Sequence, residues 1–153
     1  MRPLFKLLLF LVVSTVITRL AAMVVSKQFE EGSEVSDEFR RVVVFDRLDF
    51  DSRAGGLRSG QVSVVMGGAR IDLRNAVLDP DGARLLTEST MSDLMILVRE
   101  DWNVSVNDVL VGGGQVEVNV TPPEDLPEDA PQLRIDAITR MGATVVRTDD
   151  STL

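Results

Sequence analysis

The sequence predicts an all-β solenoid domain preceded by one N-terminal membrane helix. Runs that alternate apolar and polar residues begin at Arg41 and include residues 115–120, QVEVNV. This alternation is typical of strands that bury one face. Valine is the favoured apolar residue, and its branched Cβ suits strands. No long helical period follows Arg41 in the sequence, so strands are expected to build the whole domain, residues 41–149.

A strand–turn–strand repeat joins these runs. Each copy begins with a large apolar residue, continues with two small or turn-forming residues, and ends in an alternating strand. The copies begin at Phe45, Met66, Met91, Val111 and Met141. Starts about 20–30 residues apart are typical of coils that stack and bury their apolar faces on one another. The longest spacing contains the proline-rich, acidic residues 121–133, which are expected to form a loop inserted between coils.

The paired small residues are expected to form the corners of the coils. Strands that turn sharply and stack closely need a residue with positive φ or without a Cβ. The predicted structural positions are Gly67, Gly68, Gly112, Gly113 and Gly142. A phosphate-binding loop is the alternative for a Gly-Gly pair, but that loop needs a helix after the glycines, and strands follow here.

Composition excludes several classes of function. The chain has no His, no Cys and no Tyr, and its only lysines are Lys6 and Lys27. Disulfides, His/Cys metal sites and Ser-His-Asp or Cys-His catalysis are therefore impossible. All 24 acidic residues follow Lys27, and such an acidic body repels nucleic acid. The sequence predicts a non-enzymatic protein with no metal, no cofactor and no nucleic-acid partner.

Carboxylate chemistry is the alternative that composition leaves open. Asp72, Asp93 and Glu117 occupy near-equivalent positions in the repeat, so a hydrolytic or carbohydrate-binding β-helix could use them as a stacked acidic ladder. Residues 79–82, DPDG, are interpreted as a turn because they lack the spacing of an EF-hand calcium loop. Trp102, the only tryptophan, is interpreted as an apolar plug, with ligand stacking as its alternative.

The N-terminus predicts a membrane anchor over residues 3–25. This stretch is long enough to span a bilayer and is apolar all round. The residues that represent the anchor are Leu7, Leu11, Val16, Arg19 and Ala22. Arg19 would lie near the far edge of the hydrocarbon layer, where its side chain can extend to the interface. A cleavable signal peptide is the alternative, although its cleavage site would lack small residues at the required positions.

The anchor sets the expected location of the chain. Residues 26–40 are polar and are interpreted as a tether between anchor and domain. The helix would bind membrane lipid and make the protein single-pass in the cell membrane. The distribution of Lys and Arg favours a globular part on the outer side.

Several blocks of sequence resemble a known family. They are SDEFRRVVVF (36–45), MGGARIDLRNAVLD (66–79), REDWNV (99–104), VGGGQVEV (111–118), EDLPEDAPQLRI (124–135) and MGATVV (141–146). On these blocks, residues 37–149 resemble the C-terminal domain of LiaF-type proteins, the cell wall-active antibiotics response family. The resemblance implies a right-handed β-helix in a membrane-associated protein of the bacterial envelope-stress system. It also implies a protein partner, either a sensor histidine kinase or another envelope protein.

Overall fold

Ten β-strands and a short 3₁₀ turn build the domain. The computed structural model describes residues 29–149 together with Thr15, Ala21 and Val24. The strands are β1 (Glu38–Val44), β2 (Arg47–Asp51), β3 (Ser59–Val65), β4 (Gly68–Asp72), β5 (Ala83–Thr90), β6 (Asp93–Leu97), β7 (Asn103–Val111), β8 (Gln115–Asn119), β9 (Gln132–Arg140) and β10 (Ala143–Arg147). The 3₁₀ turn is Pro123–Asp125. Residues 30–149 contain no α-helix, which confirms the all-β prediction for this part of the chain.

The strands form two parallel five-stranded sheets. Sheet A has the order β1-β3-β5-β9-β7, and sheet B has the order β2-β4-β6-β10-β8. Consecutive strands always belong to different sheets, so each pair forms one strand–corner–strand unit. We call these units coils 1 to 5 in chain order, from β1–β2 to β9–β10. The predicted strand–turn–strand repeat is therefore present five times.

The coils do not stack in chain order. Coil 5 lies between coils 3 and 4, because β9 pairs with both β5 and β7 and β10 pairs with both β6 and β8. Residues 98–102 therefore pass over one coil position, a step of about 10 Å at two strand spacings. Residues 120–131 bring the chain back to the vacant position, which explains why the last repeat spacing is the longest.

The parallel register aligns inward-facing residues into columns. In sheet A, three columns that face the core run through all five coils: Phe39-Gly60-Leu85-Ile135-Val106, Arg41-Val62-Thr87-Ala137-Asp108 and Val43-Val64-Ser89-Thr139-Leu110. A fourth column, Ala83-Leu133-Val104, is shorter. In sheet B, the two columns are Leu48-Ala69-Leu94-Thr144-Val116 and Phe50-Ile71-Ile96-Val146-Val118. The strict alternation seen in the sequence thus supplies a continuous core that is mostly aliphatic.

Hydroxyl groups satisfy one another where the columns approach the corners. The Ser89 and Ser92 hydroxyls lie 2.8 Å apart, as do those of Thr139 and Thr144, and all four residues are buried. A buried hydroxyl is destabilising unless it is hydrogen-bonded, so these pairs keep the polar positions compatible with the core.

The first coil begins earlier than the sequence predicted. Strand β1 starts at Glu38, inside residues 26–40 that were interpreted as tether, and Phe39 is only 4% exposed. A single apolar residue among charges gives no alternating pattern to detect. Its burial over Gly60 places residues 38–40 in the domain.

The predicted anchor, residues 3–25, lies outside the described residues apart from Thr15, Ala21 and Val24. The representative positions Leu7, Leu11, Val16, Arg19 and Ala22 all lie outside them too. Within the described residues, no helix has the length and apolarity needed to cross a membrane.

Candidate functional site

An exposed apolar ridge follows the corners of four coils. It consists of Phe45, Met66, Met91 and Met141, whose side chains are 42%, 42%, 43% and 52% exposed. The backbone N–H of each ridge residue donates to a carbonyl of the next coil in the stack, at 2.7–3.2 Å. The ridge is therefore fixed by the same hydrogen-bond ladder as the sheets.

The backbone of the ridge lies in the left-handed region. The φ angles of Phe45, Met66, Met91 and Met141 are 55°, 50°, 47° and 49°. A residue with a Cβ is disfavoured there by about 1–2 kcal/mol, so glycine is the usual choice. Coil 4 has Gly112 (φ 64°) at the equivalent corner, since Met141 N donates to the carbonyl of the preceding Val111. Four of the five corners thus have a large apolar residue at a position that glycine occupies in coil 4.

Positive φ and close approach fall on different predicted corner glycines: Gly112 and Gly113 have positive φ, whereas Gly67 and Gly142 do not. In coils 2 and 5 the positive φ belongs to the methionine, and the next residue, Gly67 or Gly142, lies where the previous coil approaches closely. A Cβ at Gly67 would overlap the carbonyl oxygen of Asp46, and one at Gly142 would overlap that of Ser92. Gly68 is the first residue of β4, with ordinary room for a Cβ.

Coil 4 has a longer corner than the other coils. Gly112 and Gly113 both have positive φ, and Gly114 follows before β8 begins at Gln115. The sequence alignment of Val111 with Met66, Met91 and Met141 is therefore wrong by one residue. The glycine at position 112 is the true equivalent of those methionines.

The coil 4 end of the stack is open. Strands β7 and β8 are the last strands of sheets A and B, so one edge of each is unpaired among the described residues. Leu110 and Val118 are members of inward columns, yet they are 49% and 45% exposed. Large exposed apolar areas on a rigid scaffold are typical of interaction surfaces.

The acidic ladder suggested by the sequence does not form. Asp72 aligns through sheet B with Leu97, Arg147 and Asn119, whereas Glu117 aligns with Val145, Met95 and Arg70. Asp93 aligns with Gly68 and Ala143, in yet another column. Glu117 thus aligns two residues before Asp72. One residue of this offset comes from the shifted alignment of Val111, and the other comes from the extra glycine at the coil 4 corner.

Asp72 is held as a carboxylate by two arginines. Arg74 donates from Nε to Oδ1 at 2.9 Å and from Nη2 to Oδ2 at 2.6 Å, while Arg70 Nη2 lies 3.2 Å from Oδ2. The hydrogen bonds from Arg74 lower the pKa of Asp72, against the opposing effect of burial. A carboxyl group with a lowered pKa is a poor proton donor at neutral pH, so the contacts favour a structural role.

Replacing Asp72 with asparagine is expected to lower the free energy of unfolding by about 2 kcal/mol at pH 7, because charge-assisted hydrogen bonds are lost at a site only 5% exposed. The folded pKa is below the unfolded value, so this stabilisation is present above about pH 4 and disappears as the pH falls through the folded pKa. Urea unfolding at a series of pH values measures the difference between the two proteins.

Asp49 provides the matched control for this variant. It accepts a hydrogen bond from Arg70 at 3.2 Å, but its side chain is 74% exposed. Asp49→Asn is expected to change the free energy of unfolding by less than about 0.5 kcal/mol. Equal effects of the two substitutions at pH 7, or a difference between them that does not shrink as the pH falls below about 4, would contradict the structural role of Asp72.

A shallow groove of about 370 Å³ lies on the outer face of β1, β3 and β5. Its walls include Glu31, Glu38, Arg40, Gln61 and Arg84, and Arg40 Nε donates to Gln61 Oε1 at 3.1 Å. Charges of both signs face the groove, so it does not select ligands of one charge. Among the residues in the description, no three acidic side chains converge on a point that could hold a metal ion.

Trp102 and the DPDG segment have structural roles. Trp102 is 2% exposed and packs in the hydrophobic core, which leaves no ring face for a ligand. Asp79 Oδ1 accepts a hydrogen bond from Asp81 N at 2.9 Å, and Gly82 N donates to Asp79 O at 2.8 Å. These two bonds define a turn at residues 79–82.

Comparison with known proteins adds no relative: no protein family, no curated protein and no solved structure matches this chain. The candidate functional site therefore consists of the corner ridge and the open coil 4 end, both argued from their geometry.

Proposed function

We propose that the chain is a non-enzymatic interaction or sensing module of the bacterial envelope-stress response, anchored in the cell membrane by its N-terminal helix. The LiaF-type sequence blocks support this assignment. The partner proposed for it is a sensor kinase or another envelope protein, with the domain on the outer side of the membrane. The five parallel coils support the finer fold proposal, a right-handed β-helix, because parallel crossover connections are almost always right-handed.

The corner ridge is the observation that carries the proposal. Its four large side chains persist in a backbone conformation that disfavours them, although the chain itself uses glycine at the fifth corner. Such positions are retained where the side chains have a function. Methionine is flexible and polarizable, so a methionine-rich surface suits the binding of another protein.

The position of the ridge also suits a membrane-tethered module. Residue 29 enters the domain beside coil 1, and the ridge runs from Phe45 in coil 1 to Met141 in coil 5. A partner alongside the domain in the same membrane could contact the full length of the ridge without reaching the opposite end of the stack.

Replacing Met66, Met91 and Met141 with glycine is expected to abolish partner binding and leave the fold intact. Each substitution removes the conformational cost of a side chain at positive φ, which stabilises the fold. It also removes the buried half of a methionine side chain, which destabilises it, so each should change the free energy of unfolding by less than about 1 kcal/mol. Cross-linking of the full-length protein in membranes, followed by identification of the partner, measures binding. Urea unfolding measures stability.

A second triple variant, with glutamine at the same three positions, separates apolarity from backbone strain. Glutamine keeps the length and the Cβ, so binding should again be lost. Retained cross-linking in both variants would show that the ridge is not the docking surface, and a loss of more than about 2 kcal/mol per glycine would give it a purely structural role. Fractionation of cells that express the protein with and without residues 1–27 tests the anchor, since a soluble full-length protein is incompatible with it.

A further inference from the structure

The two ends of the coil stack differ in how they are closed. At the coil 1 end, Glu31 forms an antiparallel bridge with Arg40, with N–O distances of 3.1 and 2.8 Å. Arg41 lies over the ring of Phe50, 4.4 Å from its centroid, and donates to the carbonyls of Glu31 and Gly32. An extended segment and an inward-facing cation therefore cap this end of the core.

At the coil 4 end the cover is only partial: Val104 is buried and Val120 packs against the core, but Leu110 and Val118 are 49% and 45% exposed, so the described residues leave the C-terminal half of β7 uncovered. The outer edge of β7 is unpaired over residues 103–111, and the inward residues Val106 and Leu110 are partly or largely exposed. Proteins usually protect exposed edges with lysine, proline or a bulge. Strand β7 contains neither lysine, arginine nor proline, and its only charge is Asp108. The edge is thus chemically suited to accept another strand.

One inward column indicates the chemistry of that strand. The column that begins with Arg41 at the capped end finishes with Asp108 at the open end. Its neighbours at the open end are Val106 and Leu110, from the two flanking columns. A strand added to β7 would therefore present apolar, basic and apolar residues at alternate positions, with the basic side chain facing Asp108.

A second copy of the chain fits this surface less well. Its own open end would place another Asp108 in the same apolar setting, and each chain carries a formal net charge of −8. Like charges held close together in an apolar environment are destabilising. The coil 1 end of a second copy is also a poor fit, because the Glu31–Arg40 bridge already occupies the free edge of β1. Charge complementarity thus favours a basic segment of a different protein.

We propose that the coil 4 end binds an extended segment of a partner protein with the pattern apolar-x-basic-x-apolar, which adds to sheet A at β7 and pairs its basic residue with Asp108. This surface is separate from the corner ridge, so the two proposals can fail independently. The chain's own β1 has the required pattern in Phe39, Arg41 and Val43, and the basic residue is central in either strand direction.

A fluorescent peptide that copies residues 37–45, DEFRRVVVF, is the probe, and the full-length protein in detergent is its target. The peptide is expected to bind, and Asp108→Arg should weaken binding by about tenfold, since a partly desolvated ion pair becomes a repulsion. A peptide with glutamate in place of Arg41 should show the reverse preference and bind the Asp108→Arg protein about tenfold more tightly than the parent peptide does. Leu110→Lys should weaken both peptides.

Asp93→Arg is the control, because it makes the same charge change on an exposed residue of β6. It should leave the affinity within about twofold, and Trp102 fluorescence confirms that each variant is folded. Absence of binding, or binding that Asp108→Arg does not change, overturns the proposal. Self-association that Leu110→Lys abolishes while the peptide fails to bind would identify a second copy as the occupant and also overturn it.

Discussion

Replacing Trp102 with alanine is expected to lower the free energy of unfolding by about 4 kcal/mol, the range found when large aromatic side chains are removed from a core. Trp102 is 2% exposed and comes directly before β7, at the end of the segment that passes over coil 5. Its loss would leave a cavity where the chain departs from simple stacking. The core cannot close this cavity without moving the backbone of residues 98–102, which connects coils 3 and 4.

Urea unfolding followed by far-ultraviolet circular dichroism measures the effect, since the variant lacks the fluorescent residue. Trp102→Phe keeps most of the apolar volume and should reduce stability by about 1–2 kcal/mol. Amide exchange in β7 and β8 should accelerate more than in β3 and β4, because coil 4 is attached through this segment. A loss below about 1 kcal/mol for Trp102→Ala would show that Trp102 does not support the crossing.

The strands and their repeat were accessible from the sequence, but the order of the coils was not. Alternation identifies the inward residues of β5, β7 and β9, because burial of one face demands a period of two. At several inward positions coils 3, 5 and 4 present similar apolar residues, for example Leu85, Ile135 and Val106. Any of these coils could therefore stack on any other. The choice depends on the lengths and packing of residues 98–102 and 120–131, which no periodic pattern reveals.

The corners illustrate a second limit. The repeat predicts that each corner needs a residue with positive φ or one without a Cβ, but it does not indicate which residue of Met66-Gly67 or Met141-Gly142 has the positive φ. In the structure the methionine takes the positive φ and the glycine after it leaves room for the neighbouring coil. Phe45 and Met91 also take positive φ, although the residues after them, Asp46 and Ser92, carry a Cβ. The first residue of the corner therefore has the positive φ in every coil, whichever residue follows it.

The candidate site illustrates a third limit. The sequence drew attention to glycines and acids, whereas the exposed surfaces are Phe45 and three methionines at the corners and the apolar edge at coil 4. A large apolar residue before a small one was visible in four copies of the repeat. The exposure of a repeated apolar residue cannot be read from periodicity alone.

Replacing Gly67 with alanine is expected to lower the free energy of unfolding by about 3 kcal/mol, because the new Cβ would overlap the carbonyl oxygen of Asp46. That oxygen accepts the N–H of Gly68 at 3.1 Å, so it cannot move away without losing a ladder hydrogen bond. Ser92, the equivalent residue of coil 3, does carry a Cβ, but its hydroxyl bonds to Ser89 Oγ and to the carbonyl of Val64. Alanine at position 67 would bring the crowding without these hydrogen bonds.

Gly68→Ala is the matched control, one residue along the chain. Its Cβ would meet its nearest neighbours at 3.7 and 3.9 Å, and its φ is not positive, so the substitution should be neutral or stabilise by up to about 1 kcal/mol. Thermal and urea unfolding of the two variants compare them directly. Equal effects at positions 67 and 68 would mean that glycine is needed at the corner for its conformational freedom, which both glycines share. A large effect at position 67 alone means that glycine is needed there because the neighbouring coil leaves no room for a Cβ.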